Sequence, residues 1–199
     1  METRTLWHNH IQKEVQDGEG KQVDSPIPDG VKYHSDDIKI YDFAQEHANN
    51  ILEAAGWKDI DNDGIREKDG EKLEIELITT ELKELQQVAN LLSEQWVKIG
   101  AKTNVKPMEI GVIQQEYIRP REYQALLFGE VLGLDPDPYS FWHSSQKKDP
   151  GLNLALYNNK KIDDLLSAAR QILEPNLRAA KYKEFQQLII DDAPVVFLY

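Results

Sequence analysis

Phe128-Gly129-Glu130-Val131-Leu132-Gly133-Leu134-Asp135-Pro136-Asp137-Pro138-Tyr139-Ser140-Phe141-Trp142-His143-Ser144-Ser145-Gln146 is the stretch on which the reading of this chain turns. The apolar run Tyr123 to Phe128 that leads into it suits a strand covered on both faces. Two Asp-Pro steps then push Asp135 and Asp137 out of the helical region, and each proline removes a backbone donor. The chain therefore has to leave the sheet on an extended path with free carbonyls before a helix can restart near Tyr139. A loop at a strand end is where an α/β protein keeps its ligand groups.

Working outward, Leu82, Leu85, Val88, Ala89, Leu92, Trp96 and Ile99 fall on one helical face, and Gly100 follows as a stop. The same period recurs at Ile162, Leu165, Leu166, Ala169, Ile172 and Leu173, and again at Leu177, Ala180, Phe185, Leu188 and Ile189. A further helix is expected from an Asp42 N-cap, with Gln45 at the third position, to a stop at Gly56. Leu73, Ile75, Leu77 and Thr79 alternate with Glu74 and Glu76 as a strand does. Thr103 to Met108 and Val195 to Tyr199 complete the predicted strands. Strand, helix, strand, then strand and helices again implies an α/β class, a mixed β-sheet flanked by helices. Gly18 to Lys39 has no periodicity and reads as a polar surface arm.

At 199 residues the chain is sized for a single domain, 1–199, with enough material for a real core. No apolar run approaches the ~20 residues of a membrane span. The net charge of -12 argues against binding a phosphate backbone, so nucleic acid is not an expected partner. The absence of cysteine excludes disulfides and thiolate chemistry.

Asp59-Ile60-Asp61-Asn62-Asp63-Gly64 matches the first half of a calcium loop, with carboxylates at positions 1, 3 and 5 and glycine at 6. Position 12 is Gly70 instead of a bidentate Glu. A carboxylate-rich turn with no cofactor, and little stabilisation by calcium, is the expectation, with Asp59, Asp61 and Asp63 as a weak calcium candidate. His8 and His10 stand two apart on a helix and point to different sides, and His34, His47 and His143 have no ligand spacing around them. No nucleophile motif, zinc motif or phosphate loop is present. Asp135 and Asp137 read as solvated or capping carboxylates rather than an acid/base pair. Tyr139 is the expected cleft-lining aromatic, with Phe141 and Trp142 structural.

The Phe128–Gln146 signature resembles that of the large solute-binding proteins of peptide and nickel ABC importers, extracellular solute-binding proteins of family 5. The likeness extends to Thr5-Leu6-Trp7-His8-Asn9-His10-Ile11-Gln12-Lys13-Glu14-Val15, to Asp24-Ser25-Pro26-Ile27-Pro28, to Leu156-Tyr157-Asn158-Asn159, to Tyr182-Lys183-Glu184-Phe185-Gln186 and to Asp192-Ala193-Pro194-Val195-Val196-Phe197-Leu198-Tyr199. It implies the C-terminal lobe of a two-lobed, periplasmic-binding-protein-like (type II) fold, with the N-terminal lobe absent from the chain and Met1 an added start. It further implies an extracytoplasmic protein, periplasmic or a membrane-anchored lipoprotein, that is monomeric. Such a protein binds an oligopeptide without chemistry and works with ABC permease and ATPase subunits. The ligand-lining residues implied are Glu130, Val131, Leu132, Gly133, Leu134, Asp135 and Tyr139. Peptide binders of the family commonly carry Trp after the strand-end Gly and an Asp nearby for the peptide amine. Here Glu130 follows Gly129, so Glu130 or Asp135 takes that place, or the ligand is a sugar or a metal chelate without an amine. A calcium-dependent structural module is the reading from another class.

Overall fold

The computed structural model describes residues 21–41, 43–133 and 135–199. The expected helix around Thr5 to Val15, with His8 and His10, lies outside them, as do Asp42 and Leu134. The backbone gathers into two compact units, and the segments 43–117 and 122–129 form the described part of the first.

The first unit opens with helix α1, Gln45–Ala54. Its N-cap is Ala44, without a side-chain cap, and Gln45 is the first helical residue rather than the third. Gln45 instead donates to the Lys98 carbonyl at 3.1 Å. Gly56, at φ 94°, closes the helix: the Gly56 amide donates to Glu53 O and the Trp57 amide to Leu52 O. These are the paired bonds of a Schellman stop, which needs a left-handed residue. A short antiparallel hairpin follows, β1 Glu67–Lys68 and β2 Glu71–Lys72. Its turn is Asp69-Gly70, both at positive φ, the Asp-Gly signature of a tight hairpin.

Strand β3 Glu74–Thr80, helix α2 Lys83–Val97 and strand β4 Lys102–Met108 form a βαβ unit. The strands pair in parallel with Leu77 opposite Val105, and β3 is central in the order β4-β3-β5. Parallel and antiparallel pairing therefore occupy separate sheets. The core packs Leu77 and Ile78 of β3 with Val88, Ala89 and Leu92 of α2, all buried. Burial of each large aliphatic contributes about 1.5–3 kcal/mol. Gly100 closes α2 at φ 80° through bonds from Gly100 N to Val97 O and Ala101 N to Trp96 O. Glu109 caps a helical turn, α3 Ile110–Val112, that runs into a π-helix at Ile113–Ile118.

Strand β5 is Ala125–Leu126, shorter than the expected Tyr123–Phe128. At its start the Gln124 side chain, in place of a backbone carbonyl, accepts from the Glu76 amide at 2.7 Å, which ends the ladder. Beyond it one more bond, Leu127 N to Ile78 O at 2.9 Å, carries the chain past β3.

The second unit comprises 20–41, 118–121 and 130–199. It is built on α4 Tyr139–Trp142, α5 Lys160–Gln171 and α6 Pro175–Asp192. The Asn159 side chain caps α5, and Glu174 caps α6 ahead of a proline in the first turn. Trp142, Ile162, Leu166, Tyr182, Phe185 and Ile189 pack together with Ile27. Ile27 corrects the surface-arm reading: Ser25 and Ile27 are fully buried, and Ser25 Oγ donates to Ile27 O at 2.7 Å. An aperiodic segment can still plug a core with one side chain. Leu173 and Leu177, expected on helical faces, are largely exposed at 90% and 60%. Leu173 falls between α5 and α6, where no face exists. Val195 to Tyr199 is not a strand. The described residues of this unit contain no strand to pair with it, and Val23 N to Leu198 O at 3.3 Å is the backbone bond that fixes it.

Candidate functional site

The chain crosses from the first unit to the second between Gly129 and Glu130, where the Asp-Pro loop begins. Within the loop Pro136 and Pro138 are buried while Asp135 and Asp137 are exposed. The alternation follows from the extended backbone that each Asp-Pro step imposes. Val131 is 93% exposed, and nothing approaches the positions a side chain would take at Gly129 and Gly133. Residues 129–133 thus present backbone and an apolar side chain to whatever lies outside.

The three acidic residues of the loop are not equivalent. Asp137 receives Arg170 on both oxygens, at 3.1 and 3.0 Å from Nε. Asp135 faces Lys32 at 3.4 Å. Neither caps α4, whose first turn is closed by the Asp137 carbonyl accepting from Ser140 N. The capping expectation is therefore replaced by ion pairing, because the cations of a distant helix and of the 20–41 segment reach the loop first. Glu130 has no ion pair among the described residues. Surrounding protein raises its carboxyl to about 7 by desolvation, although the side chain remains open to solvent. It is the one of the three that has no cation beside it among the described residues.

Tyr139 is held from both faces. The Arg170 guanidinium lies 3.7 Å from its ring centre, and His143 stacks on it at 4.1 Å. Its hydroxyl stands 3.3 Å from Ser145 Oγ. Trp142 is buried against Phe185 and Phe197, the structural role expected of it. His143 Nδ1 lies 2.8 Å from Ser145 Oγ, but its Nε2 is 3.9 Å from Asp163, too far for a hydrogen bond. Asp163 instead accepts from the amide and hydroxyl of Ser144, at 2.8 and 2.5 Å. His143 caps a short 3-10 turn, its ring accepting from Ser145 N.

In the first unit a polar cavity of about 520 Å³ is lined by Asn49, Glu53, Asp59, Gly64, Arg66 and Gly100. Its guanidinium is committed: Arg66 donates to Ile99 O, Trp57 O and Asn49 Oδ1 at 2.8, 2.9 and 3.0 Å. Beside it the acidic turn brings Asp59, Asp61 and Asp63 together with Glu67, their ligand oxygens within 4.8 Å of one another. Glu67 stands at position 9 of that loop, not at the twelfth position where the calcium-loop pattern expects a carboxylate. Glu67 reaches the turn because it bridges antiparallel to Lys58 across residues 59–66, whereas the Asp69-Gly70 hairpin brings Lys72 opposite Glu67.

Described residues contain no helix long and apolar enough to cross a membrane. The sequence profile of bacterial extracellular solute-binding proteins, family 5 Middle, matches residues 8–153. The oligopeptide-binding protein AppA of Bacillus subtilis is 32% identical over 201 residues, covering 99% of this chain and 37% of that protein. Protein XP55 of Streptomyces lividans is 30% identical, covering 92% of the chain and 33% of its own length. The chain thus spans about a third of these relatives. The structure of B. subtilis AppA with a nonapeptide superposes with a TM-score of 0.90 over 99% of this chain and 40% of that one. NikZ from Campylobacter jejuni, in complex with Ni(L-His), superposes at 0.87 with 27% identity, over 96% of this chain and 38% of its own. The fold is therefore the α/β architecture of a type II periplasmic-binding-protein lobe. With the family profile covering most of its length, this chain belongs to the bacterial extracellular solute-binding proteins of family 5.

Proposed function

We propose that the chain forms one wall of a clamp that binds an oligopeptide and presents it to an ABC importer, by binding alone and without chemistry. The observation that carries this reading is the 32% identity to an oligopeptide-binding protein over 99% of the chain, with a nonapeptide complex superposing at 0.90. The loop supports it: Gly129 to Gly133 is open, and no cation stands beside Glu130 among the described residues. In this reading Glu130 meets the peptide amine, Val131, Leu132, Gly133 and Leu134 line the path, and Tyr139 is a fixed apolar wall. Asp135 is placed at the rim, because Lys32 already balances it.

The opposite wall comes from a second lobe of the kind that makes up the remaining length of the relatives. Closure of the two over a peptide selects the form a membrane permease recognises. The working protein is a monomer outside the cytoplasm, with the permease and its ATPases as partners, and binds peptide without a metal cofactor.

The test is calorimetry of the complete protein with oligopeptides bearing free or acetylated amino termini. Micromolar or tighter binding of free-amine peptides, weakened by Glu130→Gln toward the level of the acetylated ones, is expected. Equal binding of both peptides by parent and variant removes Glu130 from the site. Binding of a sugar or metal chelate in place of any peptide overturns the assignment.

A further inference from the structure

The loop after Gly129 has no ladder to support it. From Glu130 to Pro136 the described backbone makes no hydrogen bond, and the first one beyond is Asp137 O accepting from Ser140 N at 3.3 Å. A segment without backbone bonds keeps a single course only if its side chains are tied down. Pro136 and Pro138 are buried, and two acidic side chains carry the polar ties. The Lys32–Asp135 contact is a single exposed pair at 3.4 Å, of the kind that adds little. The Arg170–Asp137 contact is built differently.

Arg170 stands in the last turn of α5, a helix seated in the core through Ile162, Leu165, Leu166 and Ala169, all buried. Its place is therefore set by packing and not by the loop. From there Nε reaches both Asp137 oxygens, at 3.1 and 3.0 Å, and Nη2 is in contact with Oδ2. The same guanidinium covers one face of Tyr139, 3.7 Å from the ring centre. His143 closes the other face at 4.1 Å, with the ring planes 19° apart. A planar fork can pair with a carboxylate along its edge while it stacks on a ring with its face, which an ammonium cannot do. One side chain thus holds the end of the loop and the aromatic that follows it, and joins both to a packed helix. All of these groups lie within the second unit.

We propose that Arg170 is a positioning residue for ligand binding: it touches no ligand, and it fixes the course of the loop that does. The inference rests on the reading of this loop as the peptide wall. A loop that samples several courses binds with an affinity reduced by the fraction of time it spends in the competent one. If loss of the fork leaves the loop in place about one tenth of the time, the apparent Kd rises about tenfold. The fold itself should change little, because Arg170 and Asp137 are each nearly half exposed and solvent screens their pair.

The test is calorimetry of the complete protein with a free-amine oligopeptide and, without ligand, the rate at which glutamyl endopeptidase cuts after Glu130. Arg170→Met and Asp137→Asn should each weaken peptide binding about tenfold, the double variant should lose no more, and Arg170→Lys should recover part of the loss. Stoichiometry and Tm should stay near the parent's, whereas a merely structural role would lower the binding fraction and leave the Kd of the remainder unchanged. Cutting after Glu130, followed by mass spectrometry, should be about tenfold faster in Arg170→Met, in step with the time the loop spends free. Unchanged peptide affinity in Arg170→Met overturns the proposal, and so does an unchanged rate of cutting. A loss in the double variant equal to the sum of the two single losses overturns it too, since the two residues then act separately. A parent protein that binds no oligopeptide refutes the peptide reading, while the cutting rate still decides whether Arg170 holds the loop.

Discussion

Replacing Asn153 by Asp exchanges one NH2 group for an oxygen, yet the geometry makes it a strongly destabilising change. Asn153 is fully buried. Its Nδ2 donates to the carbonyls of Trp142, His143 and Tyr157 at 3.3, 3.2 and 3.0 Å, while its Oδ1 accepts from Tyr157 N at 3.1 Å. The amide thus supplies the donors for the Trp142 carbonyl at the end of α4 and for the Tyr157 carbonyl, while His143 O also accepts from Gln146 N, and it ties the helix carrying Tyr139 to the 153–157 turn. An isosteric carboxylate keeps the shape, loses both donors and sets oxygen against three carbonyl oxygens. Each buried acceptor left unmatched costs about 1–3 kcal/mol, which gives about 3–5 kcal/mol at neutral pH. For a chain of this size that lowers Tm by roughly 10 °C. The new carboxyl, desolvated, holds its proton in the native state to higher pH than in the unfolded chain. Its native pKa is raised, so stability is greatest below the unfolded carboxylate range and is lost as pH rises. The gap between parent and variant must therefore narrow from pH 7 to pH 5. Thermal unfolding followed by near-ultraviolet circular dichroism across that range checks both. A variant within about 1 kcal/mol of the parent at pH 7, or a gap that widens on acidification, refutes the account.

Gly100→Ala should cost about 2–3 kcal/mol in denaturant unfolding, because φ is 80° and the new Cβ would stand 2.6 Å from Arg66 Cγ, on a side chain pinned by its hydrogen bonds. Gly30→Ala, at φ 81° with nothing nearby, should cost only about 1 kcal/mol, and equal effects at the two sites refute the clash. Glu130, with its native carboxyl raised to about 7, contributes stability that is present below the unfolded carboxylate pKa and lost as pH climbs toward 7. Glu130→Gln should therefore gain on the parent across that window, by less than about 1 kcal/mol since water still screens the side chain. A flat difference in Tm against pH contradicts it. In the complete protein, affinity for a free-amine peptide should fall about tenfold per pH unit below about 6, where little of the carboxyl is ionised, and acetylated peptide should show no such trend. The chain by itself should show no micromolar peptide binding by calorimetry, since one wall cannot exclude water from the ligand.

Where local chemistry alone decided the outcome, the sequence was legible. Gly56 and Gly100 stop their helices by the left-handed turn only glycine enters freely, and the alternation of Leu73 to Thr79 gave β3 because its face meets α2. Legibility failed where a distant partner decides. Val195 to Tyr199 has the composition of a strand, but a strand exists only when another offers its hydrogen bonds, and composition carries no record of that. Ile27 lies in an aperiodic segment and is nonetheless fully buried, because one side chain can enter a core without imposing a period on its neighbours.

The loop shows the same division at the level of function. Two Asp-Pro steps predicted its place before a helix restarting near Tyr139, and α4 begins there. Which of its carboxylates remains free could not be read, because Asp135, Asp137 and Glu130 are chemically alike in sequence. Lys32 and Arg170, 103 and 33 residues away, single out the first two. What distinguishes Glu130 is therefore subtraction: it is the loop carboxylate that the fold partly desolvates and leaves without a cation among the described residues. An ammonium would supply both a countercharge and hydrogen bonds, which is why the proposed reading sets the peptide amine against this position.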